Sequence, residues 1–183
     1  MPRTPAVIPL VSPSLEPAHI GVAGPSAPVL GSDGTVAPPV RLRIPAIGVD
    51  APVDPVGLNG DGTVQVPADW MRAGWYDKGP APGHNGPAVI LGHLDSDTGP
   101  ALFWHLPSLR PGDTITIDRQ DGSEVRFQVR SSTSYSSTSA FPTEAVYGAT
   151  PDPELRLITC AGTWLEAQGR YSENLIVFAT MTR

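Results

Sequence analysis

The distribution of proline decides most of what this chain can fold into. Nine of its 22 prolines fall within residues 1–39, set among Gly, Ser and Ala with no surviving hydrophobic period. Proline fixes its own φ and removes a backbone donor, so a segment this dense in it is extended and polyproline-like. Residues 1–39 are therefore expected to be a flexible spacer, either a stalk or a tail without a role of its own, outside the core. In residues 40–183 the remaining prolines, with most of the 19 glycines, interrupt the chain too often for long helices. The whole sequence, 183 residues, suffices for one domain and one core. A single, mostly β domain over residues 40–183, with short helices and long loops, is the expectation.

The local pattern agrees. Val40–Ile44 alternates apolar and basic residues, as a half-exposed strand does, and Pro45 confines it to an edge or a strand end. Asn59–Gly62 is a turn signal, and Thr63–Val66 after it alternates again. Asp69–Tyr76 reads as one helical turn capped by Asp69, with Trp70 and Trp75 filling a core. The continuous apolar run Pro87–Gly92 predicts a central strand covered on both faces, ending in His93. Leu94–Thr98 reads as a polar loop and Gly99–Leu106 as a short helix with Pro100 early in it. Asp113–Asp118 and Glu124–Val129 alternate around Asp121-Gly122, the clearest hairpin in the chain. From Ser131 a serine-rich stretch reads as a solvated loop, with one helical turn at Thr143–Tyr147. A short strand then leads into Cys160 and is stopped by Ala161-Gly162; a loop runs to Gly169, and Tyr171–Thr180 closes the domain as a last apolar strand.

Charge and composition exclude several function classes. The balance of 12 basic and 18 acidic residues, net -6, leaves no cluster of Lys and Arg to hold a polyanion, so nucleic acid is not an expected partner. No run of about 18 apolar residues is present to span a membrane, and the first residues lack the basic start and apolar core of a signal peptide. The expectation is a cytosolic protein, or one whose export segment lies outside this chain.

Cys160 is the only cysteine, so no internal disulfide can form. Two readings of it stand side by side: a small core filler, or a thiol presented at a strand end as a nucleophile. His84, His93 and His105 are spaced too irregularly for a structural zinc site, so neither a metal nor a cofactor is expected. A cysteine and a histidine suffice for acyl transfer if the histidine manages the thiol proton and a donor meets the oxyanion. His93 is the favoured histidine because it ends an apolar strand, whereas His84 sits in a turn cluster and His105 among core-like aromatics. Arg170 is the favoured cation, sharing one face of the last strand with Ser172 and Asn174 by alternation, while Arg156 reads as solvent-facing.

In that order, A-V-I-L-G-H ending at His93, L-I-T-C ending at Cys160 and R-Y-S-E-N-L-I-V-F-A from Arg170 resemble the sortases, cysteine transpeptidases of Gram-positive surfaces. The likeness is greatest to the actinobacterial class F group and its class E neighbours. R-L-R-I-P-A-I-G-V-D near residue 45, G-P-A-L-F-W-H-L after the histidine and R-P-G-D-T-I-T-I at 110–117 support it, over about residues 40–181. The resemblance implies a closed eight-stranded sortase-type β-barrel, with the histidine after the fourth strand, the cysteine ending the seventh and the arginine on the eighth. It also implies that Cys160 attacks the Thr-Gly carbonyl of an LPXTG-type sorting signal and forms a thioester. An amine from a cell wall precursor or another protein then resolves it, with His93 as acid and base and Arg170 holding substrate and oxyanion. In many relatives the arginine lies nearer the apolar core of the last strand, at the places held here by Ser172 and Asn174. Relatives usually carry an N-terminal membrane segment, so an extracytoplasmic, membrane-anchored location through an anchor absent from this chain is expected. Two other readings are a cysteine peptidase or hydrolase using the same two residues, and a non-catalytic cell-surface β-barrel binding module with Cys160 in its core.

Overall fold

The computed structural model describes residues 36–60, 62–137 and 141–182. Nearly all of the expected proline-rich spacer therefore lies outside the described residues. Ten strands and one short helix follow in chain order. They are β1 (Pro39–Ile44), β2 (Val49–Val56), β3 (Ala73–Tyr76), β4 (Gly86–Leu91), β5 (Asp95–Ser96) and β6 (Gly99–Pro100). Then come β7 (Thr114–Arg119), β8 (Glu124–Ser136), α1 (Thr143–Tyr147), β9 (Pro153–Leu165) and β10 (Arg170–Met181).

Eight strands close a barrel in the order β1-β2-β3-β4-β9-β10-β8-β7, and β5 and β6 form a separate two-stranded hairpin. The expected closed, mostly β barrel is thus the observed fold. Every barrel pairing is antiparallel except β2 with β3 and β4 with β9. The β4–β9 pairing matters most, because it joins the two strands that lead to His93 and Cys160.

Alternation along these strands separates two apolar layers. Leu42, Ile44, Ile90, Phe127, Leu157 and Val177 belong to the larger cluster, which fills the barrel. Val89, Leu91, Ile158, Cys160 and Ile176 alternate with them and form a second cluster on the outer face, roofed by Val146 of α1. All six residues of β4 are buried, which explains why its sequence is apolar without alternation. Each fully buried large side chain contributes about 1.5–3 kcal/mol relative to exposure.

Four local expectations are corrected. Thr63–Val66 forms only an isolated bridge, Leu58 to Val64, rather than a strand. Asp69 does cap a turn, accepting a bond from the Met71 N–H at 2.8 Å, but the chain is already extended by Ala73 because β3 is captured by β2 and β4. Gly99–Leu106 is not a helix: its start pairs as β6 and only Leu106–Ser108 is a 3-10 turn. The serine-rich stretch is not a loop at its start, since β8 continues through Ser136 on a template provided by β10, from Ser131 opposite Phe178 to Ser136 opposite Glu173. Serine and threonine offer the same backbone groups to a ladder as any residue, and the exposure of Ser131–Ser134 accounts for their polarity.

Candidate active site

Cys160 does not end its strand. The sequence implied a stop at Ala161-Gly162, whereas β9 runs on to Leu165 and turns into β10 through residues 166–169. Gly162 causes no break because its φ of 78° is absorbed as a local irregularity within the hairpin. A Cβ there would lie 2.3 Å from Ser172 Oγ, so only glycine fits. The thiol therefore sits within a ladder, 4% exposed, in the outer apolar cluster.

Its flank on one side is β4. Leu91 is opposite Ile158 in parallel register, Gly92 N–H donates to Ile158 O at 3.1 Å, and Thr159 Oγ1 donates to Gly92 O at 2.9 Å. His93 lies two residues past Leu91, as Cys160 lies two past Ile158, so both follow the same pairing. A Cβ on Gly92 would meet Phe103 Cδ2 at 2.8 Å, so glycine there leaves room for the Phe103 ring. His93 is itself fixed: its Nε2 lies 2.8 Å from Pro67 O, and its ring lies 4.3 Å from that of Trp70. A carbonyl only accepts, so Nε2 carries the proton and the neutral ring leaves Nδ1 free to exchange one. Trp70, expected in a core, instead packs on the histidine; Trp75 is the one inside the barrel.

The other flank is β10. Asn174 is directly opposite Cys160, and Arg170 is opposite Leu165 near the hairpin turn. A register shift between Tyr171 and Glu173 breaks the alternation that the sequence assigned to Arg170, Ser172 and Asn174. Arg170 Nε donates to Gln168 Oε1 at 3.0 Å. Of the three residues singled out as catalytic, Cys160 lies within β9, His93 follows β4 two residues past the Leu91–Ile158 pair, and Arg170 opens β10 opposite Leu165. Arg156, expected to face solvent, is buried: it pairs with Glu154 at 2.5 Å, donates Nε to Ala145 O at 3.2 Å and lies over the Phe178 ring at 4.7 Å. It is a structural cation that ties α1 to β9. His105 is exposed, and His84 Nδ1 bonds with the neighbouring Asn85 O.

Electrostatically the site favours neutral groups. Burial pushes the Cys160 thiol up to about 12, and the Asp95 carboxylate acts in the same direction. Burial also lowers the His93 pKa, opposed by the bond to Pro67 and by Asp95. Asp95 was not among the residues singled out from sequence, although it lies two positions after His93. It accepts a hydrogen bond from the Tyr171 hydroxyl of β10 and forms no ion pair among the described residues. Among the described residues no group of His, Cys, Asp and Glu could hold a metal ion, and no helix is long and apolar enough to cross a membrane.

Residues 42–182 match the family described as the sortase domain. The fold is similar to that of Streptococcus agalactiae sortase C1 solved in complex with MTSET, with a TM-score of 0.61 and 21% identity over 80% of this chain and 70% of that one. Sortase C-1 from Actinomyces oris gives 0.59 and 21% over 79% and 75% of the two chains. A lid mutant of sortase A from Corynebacterium diphtheriae gives 0.62 and 22% over 81% and 73%. At these identities the structural likeness is one of fold. No curated protein matches the sequence.

Proposed function

The chain belongs to the sortase family of cysteine transpeptidases, and from that premise we propose that Cys160 is its nucleophile, His93 its acid and base, and Arg170 a cation that holds the substrate. Sortases act at the surface of Gram-positive bacteria. The substrate is an LPXTG-type sorting signal, and the acceptor is an amine from a cell wall precursor or another protein. The class F grouping rests on the sequence runs around His93, Cys160 and Arg170, while the similar solved structures are sortases C and A. Residues 1–39 serve as the spacer that holds the catalytic domain, residues 40–183, away from a membrane anchor.

The observation that carries this reading is the β4–β9 pairing, which ends two residues before both His93 and Cys160 and so brings the two segments together. Both are neutral at rest, so substrate arrival must drive proton transfer. Cys160 Sγ attacks the threonine carbonyl carbon as its proton passes to His93 Nδ1. The tetrahedral intermediate collapses to a thioester, and the departing glycine amine takes that proton. The acceptor amine then attacks the thioester, gives its proton to His93, and the thiol is restored. Arg170 at the start of β10 contacts the bound peptide along the strand.

The test is the mass of the protein after incubation with an LPXTG peptide. An acyl adduct on Cys160, resolved to a ligation product when an amine is added, is expected. Cys160→Ala and His93→Ala should each abolish turnover while retaining the fold. Wild-type activity in either variant, or release of free acid alone in saturating amine, would overturn the reading.

A further inference from the structure

We propose that the Asn174 carboxamide is the oxyanion donor of this enzyme, a catalytic role that neither arginine of the β9–β10 hairpin is placed to fill. The inference rests on the reading of Cys160 as the nucleophile. Asn174 pairs directly with Cys160 across the hairpin. Directly opposed residues point to the same face with their Cβ atoms about 4.5–5.5 Å apart. Arg170 lies four positions back along β10 and is held by Gln168, and Arg156 is committed to Glu154 and Ala145 O.

The asparagine is also a buried polar residue inside a strand. It opens the run Leu175-Ile176-Val177 in the interior of a strand, where Asn is depleted. It is 2% exposed.

Attack by Sγ on a carbonyl creates an acceptor, because the C=O oxygen becomes an oxyanion as the C–S bond forms. An amide N–H carried opposite the cysteine, on a residue almost closed to solvent, stabilises that charge as it forms. The donor is neutral, so it stabilises the transition state without drawing the resting thiol towards its thiolate. A cationic donor would do both.

Two small reagents separate this role from a structural one. Iodoacetamide alkylates the thiol without forming an oxyanion, whereas p-nitrophenyl acetate acylates it through one. In Asn174→Leu, which keeps the buried volume, and in Asn174→Ala, acylation should fall on the order of a hundredfold while alkylation stays within about threefold of wild type. Asn174→Gln, which retains the N–H donor, should recover part of the acylation. Equal slowing of both reactions, or no slowing of acylation, would overturn the proposal. Acylation by an LPXTG peptide is measured in parallel. A wild-type protein acylated at Cys160 by the ester but not by the peptide would reject the proposed substrate and leave the role of Asn174 to be read from the ester.

Discussion

Replacing Asp95 with Asn while following Cys160 alkylation against pH tests how its surroundings hold the Cys160 thiol protonated. The thiol is buried among Leu91, Ile158 and Ile176, and burial with Asp95 as the lesser cause pushes it up to about 12. At pH 7.5 such a group is ionised in roughly 3 molecules per 100,000, against about one in ten for an ordinary cysteine near 8.5. Part of that deficit of about 3,000-fold is returned, because a more basic thiolate is intrinsically more nucleophilic. With a Brønsted slope of about 0.45 over 3.5 units the gain is roughly 40-fold, leaving a net deficit on the order of a hundredfold. The rate constant for iodoacetamide in the folded enzyme should therefore rise tenfold per pH unit through pH 10, where free cysteine has already levelled off. Asp95→Asn removes the smaller cause, so its inflection should fall yet remain above that of free cysteine. The sign for stability follows from the same shift. The unfolded chain ionises its thiol near pH 8.5 and the folded chain does not, so stability declines as pH rises from about 8.5 towards 12. A wild-type profile that levels off below pH 9, or an Asp95→Asn inflection that moves upward, would refute the reasoning.

Gly162→Ala places a side chain at φ 78° and a Cβ 2.3 Å from Ser172 Oγ, which bonds the Thr163 N–H. The left-handed backbone costs about 1–2 kcal/mol and the lost bond about 1 more, so Tm should drop by roughly 4–12 °C, and a change below 1 °C would contradict the account. Arg156→Met leaves Glu154 unpaired in a mostly buried place and frees the Ala145 carbonyl of α1; urea unfolding should show a loss of about 3 kcal/mol, and less than 1 would mean that the cation is dispensable. Arg170→Ala should act on the KM for a sorting peptide, raising it about tenfold with a smaller fall in kcat, and the reverse split would return the oxyanion role to the arginine.

Much of the barrel was legible because a strand announces itself by local alternation. Val40–Ile44, the hairpin around Asp121-Gly122 and the last strand are recognisable without tertiary information, as is the fully buried β4 from its unbroken apolar run. The errors share one cause. Ala73–Tyr76 and Ser131–Ser136 carry weak local signals and become strands because their neighbours present an open edge, whereas Thr63–Val66 alternates but finds only one bridge. Ala161-Gly162 looks like a stop, yet a glycine at positive φ is also what lets a paired hairpin continue past an irregularity.

The site divides in the same way. The residue types and their order along the chain named Cys160, His93 and the last strand, because the chemistry of acyl transfer limits which side chains can serve. Which residue of that strand faces the sulfur depends on register, and one irregularity between Tyr171 and Glu173 is enough to bring Asn174 opposite the thiol and leave Arg170 near the turn. Burial, the bond from Tyr171 to Asp95 and the fixing of His93 by Pro67 and Trp70 likewise arise only when segments distant in sequence converge. Sequence alone determined the barrel and the chemical repertoire; long-range pairing alone decided which polar groups meet at the thiol, because a shift of one residue turns a side chain to the opposite face.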